Sequence, residues 1–260
     1  MRIVVCMKQV PSSEARITIA GDGTSIERDD LEMVVNPYDE YAVEEALAIK
    51  ESKGEGEVIV VTLGPEKAKE AIRSCLAMGA DRGVIIQDEA YQGGDGIGTA
   101  RALADVIKGI EPDLVLCGKL SIDVEHDSTS IALAEFLGWP HVSLVRKLEW
   151  SDDGKGKATR DIEGGSEIIA FSLPAVISAE KGLNEPRYAS LKGIMAAKRK
   201  PIEEVTPSVP AEEVGAAGSG IKLIKMDPPP ERTGGKKLEG EPEEVVSQLV
   251  DLLKNEAKVF

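Results

Sequence analysis

Histidine, cysteine and aromatic side chains are scarce in this chain, with two His, three Cys and 3% Phe, Trp and Tyr among 260 residues. The two histidines, His126 and His141, stand in different loops with no Ser or Cys nucleophile motif beside them. They offer no metal-ligand spacing, and His126 reads as a loop residue rather than a general base. Cys6, Cys75 and Cys117 form neither a Cys-x-x-Cys pair nor a zinc spacing, which excludes a disulfide framework and points to a reducing compartment. Cys6 and Cys117 each end an apolar run, where cysteine behaves as a small buried hydrophobe. With so few aromatics the core must come from Val, Ile, Leu and Ala, a mix that suits parallel strands covered on both faces. Positive charge is short as well: 31 Lys and Arg against 46 Asp and Glu, a net charge of -15 and a pI near 4.7. That excludes a nucleic-acid role, which needs concentrated basic residues, and solubility alone accounts for the acidity. No apolar run approaches membrane-spanning length, so direct membrane insertion is not expected. The chain opens on the strand-like run Arg2 to Cys6 with no leader before it, so a prokaryotic cytoplasm is the expected location.

What is present is an alternation. Apolar runs of strand length at Ile3 to Cys6, Val58 to Leu63, Gly83 to Ile86 and Leu114 to Cys117 are separated by helix-like stretches at Tyr38 to Ser52, Pro65 to Met78 and Ile97 to Gly109. Each stretch carries apolar residues three and four apart, as in Ala42, Ala46 and Ile49. Asn36 is placed to cap the first helix with Pro37 behind it, Gly64-Pro65 to start the second, and Gly79 to end it in the left-handed region. Strands alternating with such helices predict a doubly wound, mostly parallel α/β sheet of the Rossmann-like, nucleotide-binding kind. Two segments break the pattern. Arg16 to Ile19 and Ser25-Ile26, around Gly21-Asp22-Gly23, predict a hairpin. Leu144 to Trp150, Ala158 to Ile162 and Glu167 to Phe171, with turns at Asp152-Asp153-Gly154 and Gly164-Gly165, predict an antiparallel insertion, after which Ala175 to Ser178 rejoins the main sheet. These elements make residues 1–205 one α/β domain. Residues 206–260 read as an extended arm rich in Pro, Gly, Glu and Ala that ends in an amphipathic helix around Val245 to Leu253, whose apolar face needs either its own domain or a partner surface.

In open α/β sheets ligands sit beyond the carboxyl ends of the strands. Four loops leave such ends: Met7 to Val10, Asn36 to Asp39, Leu63-Gly64-Pro65 and Gly118 to Thr129. In the last, Ser128, Thr129 and Ser130 open the helix Ile131 to Leu137, and hydroxyls with free N–H groups at a helix N-terminus suit phosphate, although plain capping uses the same residues. Asp123, Glu125 and Asp127 crowd the same loop with negative charge. Gly93 to Thr99 is glycine-rich and enters a helix, but its spacing is not the dinucleotide fingerprint. Without a nucleophile elbow, a phosphate-loop lysine or a histidine-rich cluster, the residues support nucleotide binding and not hydrolysis.

The segment Ala158 to Ile169, followed by Leu173 to Ser178, is similar to the signature of electron transfer flavoprotein β subunits. Leu183 to Leu191, running into Ile194 and Met195, resembles that family's dehydrogenase-recognition loop. Val35 to Asp39 and Ala77 to Gly83 match in order and spacing, so the resemblance spans residues 1 to about 200. It implies a heterodimer whose α subunit holds the redox-active FAD, with AMP in the β subunit, or a second FAD and NADH oxidation in electron-bifurcating members. It implies an electron carrier, not an enzyme, between an acyl-CoA dehydrogenase and a quinone-side oxidoreductase. Carried over by motif, nucleotide contacts fall at Cys6, Asn36, Pro37, Tyr38, Asp39, Leu63 and the loop Leu120, Ser121, Ile122, Asp123, Val124, Glu125, His126, Asp127, Ser128, Thr129, Ser130 and Ile131. Asp161 matches an acidic position that pairs with an α-subunit arginine beside the flavin. Asn184, Glu185, Pro186, Arg187, Tyr188, Ile194 and Met195 belong to the recognition loop, with Leu191 as its apolar anchor; read without the resemblance, Leu191 is the first apolar residue of a core-facing helix. The loop after Asp123 lacks the Gly-Asp-Thr run of bifurcating relatives, and Phe136 to Pro140 looks more like the conventional ones. A remoter alternative is an ATP-using enzyme or nucleotide sensor on the same fold, but Met7 to Pro11 is not a phosphate-gripping loop.

Overall fold

The computed structural model describes residues 1–151, 154–230 and 234–260. Its centre is the run of Val, Ile and Leu that the composition demanded. Strands β1 (Arg2–Cys6), β4 (Glu57–Leu63), β5 (Arg82–Ile86), β6 (Leu114–Gly118), β10 (Ala175–Ala179), β7 (His141–Trp150) and β11 (Ile202–Glu204) lie parallel, and β8 (Lys155–Ile162) and β9 (Gly165–Ser172) extend the sheet antiparallel. The nine-stranded order is β11-β5-β4-β1-β6-β10-β7-β8-β9. Alternate residues of β1 and β6 serve opposite faces, as a period of two requires. Ile3, Val5, Leu114 and Leu116 pack under α1 (Pro37–Lys53) and α2 (Ala68–Met78). Val4, Cys6, Val115 and Cys117 face α3 (Gly96–Ile110) and α4 (Ser128–Leu137). Each fully buried Ile or Leu in these two layers contributes roughly 1.5–3 kcal/mol. A mostly parallel sheet flanked by helices is the predicted class.

The antiparallel insertion follows its predicted order, and β10 enters the main sheet between β6 and β7; Asp152 and Asp153 of its first turn lie outside the described residues. Strand β7 changes partner at a bulge. Leu144 takes φ 60° and donates its N–H to Ser178 Oγ at 3.1 Å, and beyond it β7 pairs with β8. The predicted hairpin over 16–26 is reduced to one bridge, Ile19 to Ile26, held by Asp22 accepting from the N–H groups of Thr24 and Ser25. Ile17 is exposed there, and a two-stranded ribbon with nothing covering a face is marginal in water. The antiparallel pair nearby is instead β2 (Gln9–Pro11) with β3 (Met33–Val35).

Three predicted helix signals act differently. Asn36 precedes α1 but makes no side-chain cap, because its amide is used across the cavity described below. Helix α2 begins at Ala68, three residues after Pro65, whose carbonyl accepts from the Ala68 N–H at 2.8 Å. Gly79 ends α2 at φ 146°, outside the left-handed helical region.

Past β11 the arm first returns to the domain. Ser208 bonds Asp105, Val214 is buried among the α3 residues, and the Gly220 N–H donates to Asp95. This explains the glycines at 94 and 98: a Cβ there would stand 2.0 and 2.4 Å from Val214 O. Helix α6 (Pro242–Asn255) buries none of its residues, and Val246, Leu249 and Val250 are exposed. Its apolar stripe therefore does not dock on its own domain.

Candidate functional site

Strand β1 is followed in the sheet by β4 on one side and by β6 on the other, so the chain reverses direction beside the ends of β1 and β6. At such a switch point the loops splay apart and leave a crevice. A cavity of about 370 Å³ opens there, floored by Cys6 and Cys117. Its walls are the segments 7–9, 63–65, 92–96 and 118–121 with Asp123, Val124 and His126, together with the first turn of α4.

Asn36 and Asp39 hold those walls together. Asn36 is 1% exposed; its Nδ2 donates to Leu120 O at 2.8 Å and its Oδ1 accepts from the Ile122 N–H at 3.2 Å. Asp39, also buried, accepts from the Lys8 N–H at 2.7 Å and the Gly118 N–H at 3.1 Å. Burial pushes its carboxyl up to about 7, against the opposing pull of the Lys8 and Gly118 N–H groups, the Asn36 amide and the Lys8 charge. The approach is so close that a Cβ on Gly118 would lie 2.3 Å from Asp39 Oδ1. Gly118 thus admits the start of α1.

The cavity suits an anion despite its acidic loop, because the carboxylates that line it are already engaged. Lys8 Nζ pairs with Asp123 at 2.7 Å. Asp95 accepts from Ile97, Gly98 and Gly220 N–H groups, which hold its carboxyl below the usual range. Asp127 precedes α4 without capping it, so the first-turn N–H groups carry the partial positive charge of the helix end. Ser130, 4% exposed, lines the cavity, and its Oγ has no hydrogen-bond partner among the described residues. A buried hydroxyl left unbonded costs about 1–3 kcal/mol. Arg28, exposed at the mouth, forms no ion pair among the described residues. Lys119 reaches Glu180 at 2.8 Å and lies 4.7 Å over the Tyr38 ring.

Of the predicted contacts, Cys6, Asn36, Asp39, Leu63, Leu120, Ser121, Asp123, Val124, His126, Thr129 and Ser130 line this cavity. Pro37, Tyr38, Ile122, Glu125, Asp127, Ser128 and Ile131 stand outside its lining. Pro37 is exposed at the start of α1, Glu125 takes φ 52° on an exposed bend, and Ile131 is half exposed. Ser128 instead supports the neighbouring loop, its Oγ 2.8 Å from where a Gly96 Cβ would be. Arg28 and Gln92 also line it and lie outside the predicted loops; Arg28 lies in an irregular segment that sends no local signal.

A second surface lies on the other side of the sheet. Asn184 donates to Tyr41 O and Glu45, both at 3.0 Å, and Arg187 grips Glu44 at 2.8 and 2.9 Å and Glu51 at 2.6 Å. These bonds lash the loop before α5 (Leu191–Ala197) to α1. Ser190 caps α5 through the Gly193 N–H at 3.0 Å. Held this way, the loop projects Tyr188 at 99% exposure and Leu191 at 84%, with Met195 and Ile194 beside them and Glu185 exposed. The alternative of a core-facing Leu191 is therefore overturned. Asp161 pairs with Arg146 of β7 and accepts from Ser166 Oγ at 3.2 Å, on an exposed face of the insertion. Among the described residues no helix is long and apolar enough to cross a membrane, and no group of three or more His, Cys, Asp and Glu could hold a metal ion.

A family model described as Electron transfer flavoprotein domain matches residues 23–210. The chain is 40% identical over 259 residues to an electron transfer flavoprotein subunit beta of Syntrophomonas wolfei, covering 100% of this chain and 98% of that protein. The protein of the same description from Bacillus subtilis is 40% identical over 261 residues, with both chains covered in full (100% each). The one from Homo sapiens is 39% identical over 256 residues, covering 97% of this chain and 98% of that protein.

Proposed function

This chain belongs to the electron transfer flavoprotein family and matches its β subunits from end to end, and from that premise we propose that it is the nucleotide-holding half of a heterodimer. The family's members are electron carriers, not catalysts of bond making, and flavin serves the complex. In this reading the partner α subunit carries the redox-active FAD, and this chain holds AMP. The observation that carries the reading is the switch-point cavity, with the α4 N-terminus, Thr129 and Ser130 at one end. At about 370 Å³ it stands at the small end of ligand pockets, the size class of a mononucleotide. The phosphate takes the first turn of α4 with Ser130 and Thr129, and Arg28 closes the mouth. Asn36 and Asp39 hold the loops in place. The chain's own part is to position the complex and present the 184–195 surface to an acyl-CoA dehydrogenase, the electrons leaving toward a quinone-side oxidoreductase. The exposed segment 221–225 and the exposed apolar stripe of α6 supply the grip on the α subunit.

Nucleotide extraction and flavin counting on the purified heterodimer test this. AMP with one FAD per heterodimer is expected. Two FADs together with reduction by NADH would replace this reading with an electron-bifurcating one.

A further inference from the structure

Two thiols meet at the floor of the cavity. Cys6 and Cys117 are partners in the parallel register of β1 and β6, so their Cα atoms lie about one strand spacing apart, ~4.8 Å. Both side chains point to the α3 and α4 face. Disulfides form across Cα separations of about 4.4–6.8 Å when the Cβ atoms face the same way. Cys6 is half buried and opens on the cavity, whereas Cys117 is buried behind it. Cys75, the remaining thiol, is buried on α2 in the opposite layer.

We propose that Cys6 and Cys117 form a thiol–disulfide redox site at the base of the cavity, oxidised by small peroxides that enter through its mouth. Cys6 is the thiol that meets the oxidant. Its sulfur attacks one peroxide oxygen, the O–O bond breaks, and the leaving hydroxide departs as water with the thiol proton. Cys6 is left as a sulfenic acid. The Cys117 sulfur then attacks the Cys6 sulfur; the S–S bond forms, the S–O bond breaks, and a second water leaves. Two thiols and one hydrogen peroxide thus become one disulfide and two waters. Cys117 suits the second step. The neighbouring Cys6, and then burial, hold its thiol protonated well above the usual range, so it does not react first, and the register places it beside the residue whose sulfur it must attack. Closing the bond would draw the ends of β1 and β6 together beneath whatever the cavity holds, coupling oxidant exposure to occupancy of the site.

The test uses the full chain freed of small molecules, so that it stands apart from the nucleotide assignment. After hydrogen peroxide treatment, alkylation and non-reducing peptide mapping, free thiols should fall from three to one. The survivor should be Cys75, a Cys6–Cys117 linked peptide should appear, and dithiothreitol should restore all three. In Cys117→Ala, Cys6 should instead be captured by a 1,3-dione sulfenic-acid trap. Three free thiols after oxidation, a dimer linked through Cys6, or Cys6 driven to sulfinic acid with no linked peptide would each overturn the proposal. So would a Cys6 in Cys117→Ala that stays reduced.

Discussion

Leu191→Ala separates a docking side chain from a folding one, and the structure sets the scale. Full burial of a leucine contributes roughly 1.5–3 kcal/mol. Leu191 is 84% exposed, so about a sixth of that contribution, under ~0.5 kcal/mol, is realised within the subunit. Most of the rest is available only in a partner's pocket, and alanine, which keeps Cβ, forfeits about 1–2 kcal/mol of it there. That corresponds to roughly a 5–30-fold loss in the association-limited rate. The assay is reduction of the α/β complex by an acyl-CoA dehydrogenase at sub-saturating concentration, run beside urea unfolding of wild type and variant. The rate should drop by that factor while the unfolding midpoint and flavin content stay in place. A stability loss of about 2–5 kcal/mol, the scale of truncating a buried leucine such as Leu133, would refute the reasoning. An unchanged rate would refute it equally.

Asn36→Ala removes both bonds to the 120–122 backbone and should cost about 1–3 kcal/mol and weaken AMP retention severalfold, read by denaturant titration and nucleotide release; retention unchanged would remove Asn36 from the site. Asp39 binds its proton more tightly folded than unfolded, with a carboxyl pushed up to about 7 by burial. Over about pH 4 to 7 the native state therefore holds a proton the unfolded chain has lost, and stability falls as pH rises, by up to about 4 kcal/mol. Asp39→Asn should flatten that slope in urea midpoints measured across the window, and an unaltered slope would assign it to other groups. Truncation after Gly220 keeps the docked stretch around Val214 and should leave the domain folded while weakening α/β association in size-exclusion runs; an undiminished heterodimer would count against the arm's role.

The chain by itself determined the kinds of element and their sequence. Most strands and helices announce themselves within a window of a few residues, through a period of two or of three to four, so β1, β4, β5, β6 and the β7–β10 insertion are legible in the sequence. So are the loops at the strand ends, because polar and glycine-rich breaks between apolar runs are local too; Tyr188 and Leu191, by contrast, are placed on a recognition loop by resemblance alone, and a local reading makes Leu191 core-facing where the structure exposes it. What only the tertiary structure decided is which distant groups meet. Asn36 was read as a cap because a helix start follows it, yet its amide is used by residues 120 and 122, eighty-four positions or more away. Gly93 to Thr99 resembled a weak ligand loop, and the glycines at 94 and 98 prove to admit Val214 of the returning arm. Cys6 and Cys117 each looked like the end of a buried run, and became a pair only when β6 took its place beside β1. Hydrogen bonding and van der Waals contact act over a few ångströms of space, and the sequence spacing of two residues does not contain the distance between them until the sheet order is formed.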